Sequence, residues 1–301
     1  MATDISIRNK HTHVHPNIVI LAGGISSRMR TAISASVNLD PRLRRDAEQK
    51  SKTMIGVGRN SRPFLDYLLY NIAATGYRNV VIVIGERDNS IREYYETGGG
   101  AQQFRQLSIT YALQPIPAGR PKPLGTADAL WHGLKAKPEW QGQTFTVCNS
   151  DNLYSQTALR LMLEDTHANA MIDYDRAALQ FEPERISKFA VIRKGSEGFL
   201  VDIIEKPSLE EMTQVADAHG RIGVSMNIFR LSYDQIYPCL ESVPLHPARQ
   251  EKELPAAVKM MVEHNPRAVF TIPLSEHVPD LTRQSDILPV REYLQKVYQN
   301  F

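Results

Sequence analysis

A short apolar run, Ile18-Val19-Ile20-Leu21, leads into Ala22-Gly23-Gly24-Ile25-Ser26-Ser27-Arg28. Glycines let backbone amides approach an anion, and the forked guanidinium of Arg28 suits phosphate oxygens. The chemistry implied is the holding of a phosphate-bearing ligand at the end of a strand. The turn lacks the Gly-Lys-Ser/Thr ending of a P-loop and the spacing of a dinucleotide fingerprint. Taken alone, a glycine pair after a strand is equally a plain tight turn. A second candidate is Asp151, just beyond the apolar Phe145–Cys148. A carboxylate there reaches a cleft without being buried itself. Its other reading is a helix N-cap, a task for which Ser155 is better placed.

Other residue types with chemical capacity point less clearly. His11, His13 and His15 alternate as metal ligands sometimes do, but in a polar terminus without further ligands they read as part of a disordered arm. Arg42, Arg44 and Arg45 are either a lid over a polyphosphate or a solvated charge run. Asp173-Tyr174-Asp175 has the form of an Asp-x-Asp metal motif and is expected to end an edge strand. Lys206, on its own, is an ordinary solvated lysine.

The elements that must position these groups follow from hydrophobic period. Ile18–Leu21, Val80–Ile84, Ile109–Leu113 and Phe145–Cys148 are expected as buried strands. Phe64–Thr75 (stopped by Gly76), Ile91–Tyr95, Thr126–Leu134 and Ser155–Glu164 are expected as helices between them. Such alternation means right-handed crossovers and a mainly parallel sheet covered on both faces. The polar stretch from Thr31 to Lys52 reads as a mobile loop with one helical turn at most. Beyond Ala170, strands Phe189–Arg193, Phe199–Ile204 and Val224–Phe229 suggest mixed pairing. Helices Tyr233–Leu240 and Leu254–Glu263, strand Ala268–Ile272 and a terminal helix from about Asp286 complete the series. The expected fold is α/β, a Rossmann-like three-layer α/β/α sandwich around a mostly parallel mixed sheet. Residues 1–16 are expected as a disordered arm and 17–301 as one domain, with a nucleotide-binding half at 17–165 and an acceptor-binding half at 166–301.

Composition narrows the class of function. The 301 residues carry 35 basic and 33 acidic side chains, a net charge of +2. No global field calls for nucleic acid or a membrane as partner. Only Cys148 and Cys239 occur, and both are expected as reduced buried thiols. The N-terminus lacks the apolar core of a signal peptide, and no stretch nears the ~18 apolar residues of a membrane helix. The expected address is cytoplasmic.

The segment Leu21-Ala22-Gly23-Gly24-Ile25-Ser26-Ser27-Arg28-Met29 resembles the opening signature of the sugar-1-phosphate nucleotidyltransferases, with Ser26 in place of a glycine. Further segments resemble the family's in order. Lys52 takes the place of its downstream lysine, with Lys50 as a rival. Gln114 resembles its base-reading glutamine, and Pro123-Leu124-Gly125-Thr126-Ala127 its Gly-Thr-Ala turn. Asn149-Ser150-Asp151-Asn152-Leu153-Tyr154 resembles its metal motif, Glu205-Lys206-Pro207 its Glu-Lys-Pro, and Val224-Ser225-Met226-Asn227 a segment bordering the sugar pocket.

The resemblance implies condensation of a nucleoside triphosphate with a sugar 1-phosphate to give a nucleotide sugar and pyrophosphate. Two polyanions meet in such a reaction, so charge neutralisation and in-line positioning dominate, with Mg²⁺ as cofactor and no covalent nucleophile. On this resemblance Arg28, Lys52 and Lys206 are the catalytic cations. Leu21, Ala22, Gly23, Gly24, Gln114, Gly125 and Thr126 hold the nucleotide, Glu205 and Asn227 the acceptor, and Asp151 the metal. Ala256 stands where many relatives carry a second metal-binding Asp, which leaves Glu253 as the nearest carboxylate; its other reading is a helix first-turn acid. A homodimer is compatible with the family. Competing readings are a cytidylyltransferase for a phospho-alcohol, a catalytically silent subunit that senses nucleotide sugars, and a glycosyltransferase of similar fold.

Overall fold

The computed structural model describes residues 14–25, 29 and 39–301. The calls on His11, His13, Ser26 and Arg28 therefore lie outside the described residues, as do those on residues 31–38. Strands β1 (Asn17–Ala22), β2 (Asn79–Gly85), β3 (Ser108–Gln114) and β4 (Thr144–Asn149) come first. They are followed by β5 (Ala170–Asp175), β6 (Val191–Lys194), β7 (Leu200–Ile204), β8 (Gly223–Val224), β9 (Ile228–Ser232) and β10 (Phe270–Leu274). All belong to one sheet of order β3-β2-β1-β4-β9-β5-β8-β6-β7, with β10 beside β5.

The pairings β1 with β2 and β4, β2 with β3, and β5 with β10 are parallel. Strand β9 runs antiparallel between β4 and β5. The expected mostly parallel mixed sheet is thus observed. Alternation along β1 shows why both faces need cover. Ile18 and Ile20 belong to one core and Val19 and Leu21 to the other, with Ile18, Val19 and Ile20 wholly buried. Each such side chain contributes about 1.5–3 kcal/mol to folding.

Helices α2 (Phe64–Ala74), α4 (Gln156–Glu164) and α8 (Ile287–Val297) fill the first face. Helices α3 (Thr126–Lys135), α6 (Tyr233–Ser242) and α7 (Leu254–His264) fill the second. Ser155 caps α4 by accepting from Ala158 N at 3.0 Å, and the capping box of Ser208 and Glu211 opens α5 (Leu209–Val215). Cys148 and Cys239 are buried free thiols. Among the described residues no helix is long and apolar enough to cross a membrane.

Five local expectations change. Within the supposed loop, Pro41–Gln49 forms a helix, α1, because Asp40 caps it, accepting from Arg42 N at 3.0 Å and Leu43 N at 2.9 Å. Its apolar stripe is only Leu43 and Ala47, too thin to register as a period. Arg42 from the supposed lid instead donates to Gly56 O at 3.0 Å. Residues 15 and 16 of the supposed arm dock on the sheet, where Pro16 O accepts from Asn79 N at 3.0 Å and His15 Nδ1 accepts from Thr144 N at 3.2 Å.

The run Val224–Phe229 is two strands, β8 and β9, broken where Asn227 takes a left-handed φ of 54°. Asn tolerates that conformation better than most side chains, and alternation alone cannot reveal it. Asp173 lies in an internal strand, fully buried between Lys194 at 2.6 Å and Arg221 at 2.7 Å, so the Asp-x-Asp element is structural.

Gly223 is part of that knot, because a Cβ at position 223 would overlap Asp173 Oδ1. Overpacking a core ordinarily costs about 1–3 kcal/mol. Here the neighbour is a buried carboxylate that two cations pin in place, so Gly223→Ala is expected to reach the top of that range. Gly195→Ala, whose Cβ would make only ordinary contacts, is expected to be near neutral. Equal thermal unfolding midpoints for the two variants would refute the account.

Candidate active site

Ligands of open α/β sheets bind beyond the carboxyl ends of parallel strands, at the point where strand order reverses. Here that point lies at β1 and β4, and a cleft of about 390 Å³ opens there. Leu21, Ala22, Gly23 and Gly24 line it from β1, Gln114 from β3, and Gly125 and Thr126 from the start of α3. Lys52 and Asp151 stand beside them, and Glu205, Asn227 and Glu253 close the opposite wall. Twelve of the fourteen residues singled out from sequence thus share one cavity. Lys206 is exposed outside the lining residues, with a left-handed φ of 48°, and Arg28 is outside the described residues.

The wall of the cleft formed by Gly23, Gln114 and Gly125 is built by close backbone approach. A Cβ at Gly23 would overlap Gln114 Oε1, and a Cβ at Gly125, whose φ is 107°, would press on Lys252 O. Lys252 O accepts from Ala127 N at 3.0 Å, and Thr126 Oγ1 accepts from Leu254 N at 2.9 Å. The first turns of α3 and α7 are therefore tied together, which fixes the turn at Gly125. Buried Gln114 donates through Nε2 to Gly125 O and to Asp128 Oδ2, both at 2.8 Å.

Charge is concentrated at Asp151. Burial raises the Asp151 pKa, but the Lys52 ammonium bound to Oδ2 outweighs it, and the net shift is downward. The chain at Asp280 pairs with Asn152 in an antiparallel bridge, with Leu281 N on Asp151 O and Leu153 N on Pro279 O, both at 2.8 Å. Asp280 is thereby held beside Asp151. Burial first and the Asp151 charge second push its pKa up. The Thr282 hydroxyl lies between them, 3.3 Å from Asp151 Oδ2 and bonded to Asp280 Oδ1. Behind Asp280, Arg185 Nη2 lies 2.6 Å from Asp280 Oδ2, and Nη1 engages Asp286.

Asp280 is the residue that sequence reasoning missed. The search for a second carboxylate went to the segment before α7, yet Glu253 there is taken by Arg249, with Nε 2.6 Å from Oε1. Arg249 also pairs with Glu205. Among the described residues no three His, Cys, Asp or Glu side chains form a metal-holding group; the arrangement at Asp151 is a pair. The available signal was positional: Asp280 follows β10, and the rule that places Asp151 beyond β4 applies equally to that strand.

His277 borders the same network. Burial and the nearby Arg185 depress its pKa to about 4, and its Nδ1 accepts from Gln180 N at 3.1 Å. An unfolded imidazole titrates near 6.5, so between these values the unfolded chain binds more protons than the native one. The stability contributed is complete above about pH 6.5 and lost as pH falls toward 4. His277→Gln is expected to narrow the difference in urea midpoint between pH 7.5 and pH 5. An unchanged difference would exclude this histidine as a contributor.

Comparison with known proteins bears on the family and the fold. Residues 41–270 match the family model described as nucleotidyl transferase. The chain is 24% identical over 222 residues to UTP–glucose-1-phosphate uridylyltransferase YngB of Bacillus subtilis (strain 168), covering 67% of this chain and 71% of that one. It is 24% identical over 199 residues to a glucose-1-phosphate adenylyltransferase of Anaeromyxobacter dehalogenans (strain 2CP-C), covering 66% of this chain but only 44% of that protein's length. A UDP-glucose pyrophosphorylase solved with UDP-glucose has the same fold, with a TM-score of 0.65 at 18% identity over 93% of this chain and 98% of that one. A UTP-bound UGPase from Acinetobacter baumannii gives a TM-score of 0.64, also at 18% identity, over 93% of each chain. With a family match over most of its length and the cleft at the expected strand ends, the chain belongs to the nucleotidyl transferase family of enzymes.

Proposed function

We propose that the protein transfers a nucleoside monophosphate from a nucleoside triphosphate to a sugar 1-phosphate, releasing pyrophosphate. The observation that carries the reading is that Asp151 shares one cleft with the Gly23-Gly24 turn, Lys52 and Gln114, while the Asn152–Asp280 bridge holds a second carboxylate, Asp280, next to it. In support, the named relatives include an adenylyltransferase and a uridylyltransferase for glucose 1-phosphate.

The donor set fits Mg²⁺. Two carboxylates and the Thr282 hydroxyl are hard oxygen ligands, and the mutual repulsion of Asp151 and Asp280 is what a divalent cation would relieve. Bound there, the ion would supply charge neutralisation at the triphosphate. The remaining work falls to the chain's own groups. The amides of Gly23 and Gly24 approach the phosphates, and Gln114 with Gly125 and Thr126 holds the base and ribose. Lys52 exchanges Asp151 for phosphate oxygens as the negative charge arrives. Glu205 and Asn227 orient the acceptor's hydroxyls. Arg28 and Lys206 complete the cationic set, the latter by moving in from the rim. The acceptor phosphate is already a competent nucleophile, so in-line placement of two neutralised anions is the main requirement.

The reading of a silent sensing subunit rested on Ala256 standing in place of a metal-binding acid. On the proposed reading Asp280, beside Asp151, would take the place of that acid.

Pyrophosphate release measured over four nucleoside triphosphates, with a panel of sugar 1-phosphates and phosphocholine, tests the proposal. Turnover is expected with a sugar 1-phosphate, and chelation of Mg²⁺ is expected to abolish it. Asp151→Ala, Asp280→Asn and Lys52→Ala should each lower kcat by roughly 10²–10³-fold, the scale for loss of one preorganised charge contact. Turnover with phosphocholine alone would replace the sugar acceptor with a phospho-alcohol. Full activity in Asp151→Ala would sink the metal assignment.

A further inference from the structure

We propose that Asp128, which is kept off the substrate by Gln114, determines which nucleobases the cleft accepts by fixing the orientation of the Gln114 amide. The inference rests on the nucleotidyl-transfer reading above and adds a specificity-determining residue to it.

An amide side chain has a donor end and an acceptor end of nearly equal size, and its neighbours decide which way it faces. Gln114 is 2% exposed at the end of β3, and one end of its amide meets two oxygens, Gly125 O and Asp128 Oδ2, each at 2.8 Å. Both partners accept. The carbonyl has no proton, and Asp128, in the first turn of α3, presents a carboxylate oxygen. Only the nitrogen of Gln114 can satisfy them, and both of its hydrogens are spent in doing so. Turning the amide over would set its oxygen against two other oxygens inside a buried site, the arrangement that costs most.

The oxygen is therefore committed to the other direction. It lies where a side chain on residue 23 would project, since a Cβ there would overlap Gln114 Oε1. Gly23 is bare, so the space over the phosphate turn is bounded by a fixed acceptor. A base resting there must bring an N–H donor to that point, whether the ring imide of a uracil-type base, the ring amide of a guanine-type base or an exocyclic amine. A base whose edge offers a carbonyl or unprotonated ring nitrogen at that point meets oxygen against a lone pair. Sites that demand one hydrogen-bond polarity discriminate strongly, because the mismatched complex leaves buried groups unpaired.

Asp128→Asn is nearly isosteric and breaks the demand. Its side chain can present either an oxygen or an NH₂ to Gln114, so one of the two constraints on the amide becomes indifferent. In the pyrophosphate-release assay the wild type is expected to favour one triphosphate. In Asp128→Asn the kcat/KM ratio between preferred and next-best triphosphate should fall about tenfold or more, mainly through KM for the triphosphate. KM for the sugar 1-phosphate and the thermal midpoint should stay close to wild type. A uniform fall for all four triphosphates, or an unchanged preference, would overturn the proposal while leaving the transferase reading standing.

Should the wild type turn over no substrate pair, that reading fails on its own. The same comparison is then made by calorimetric binding of the four triphosphates. A preference that Asp128→Asn relaxes would still support the proposal, and equal binding of all four by the wild type would overturn it.

Discussion

Two carboxylates of like charge are held at one end of this sheet by main-chain bonds that neither can escape. Leu281 N on Asp151 O and Leu153 N on Pro279 O tie the loop after β10 to the loop after β4. The repulsion between Asp151 and Asp280 is therefore met by cations, not by separation. Lys52 binds Asp151 from the cleft, and Arg185 binds Asp280 from behind. Placement of the cleft's charged wall follows from this one constraint. On the proposed reading, the glycine turn and Gln114 only need to present a nucleotide to groups that are already in place.

Much of this was legible in the residues because it depends on local order. The buried strands announce themselves by unbroken β-branched runs, and Gly125 by the turn it must make before α3. Asp151 is found because a carboxylate directly after an apolar strand has few other places to go. What was illegible depends on partners far along the chain. Asp280 carries no local pattern, and only the bridge to Asn152 gives it a role. Glu253 has the right type and a suggestive place, yet Arg249, four residues before it, claims its carboxylate. Asp173 looks like a ligand in sequence because the two cations that bury it, Lys194 and Arg221, come from strand β6 and the approach to β8. Helix α1 shows a different failure: its stability is in a cap and two apolar side chains, signals too small for a periodicity argument.

The expected division into two halves at residue 165 does not describe the architecture. The Gly125–Thr126 turn belongs to the first half by position, but its backbone and hydroxyl are engaged by Lys252 and Leu254 from the second. A change of sequence near α7 therefore reaches the Gly125–Thr126 turn through two hydrogen bonds. Asn227 works in the opposite sense, since the break it makes between β8 and β9 turns a strand from the second half toward the first-half cleft.

Strand β9 fits between β4 and β5 although it follows β5 by a long stretch of chain. During synthesis the first four strands can assemble in the order they emerge, but the outer edge of β4 stays unsatisfied until residues 228–232 appear. An open edge of that kind is a template for pairing with another chain. A fragment ending before β9 would keep the glycine turn, Lys52 and Asp151, and would also keep an adhesive edge directly beside them. Protection of that edge thus enters this fold only when a strand from the second half of the chain closes the sheet of the first.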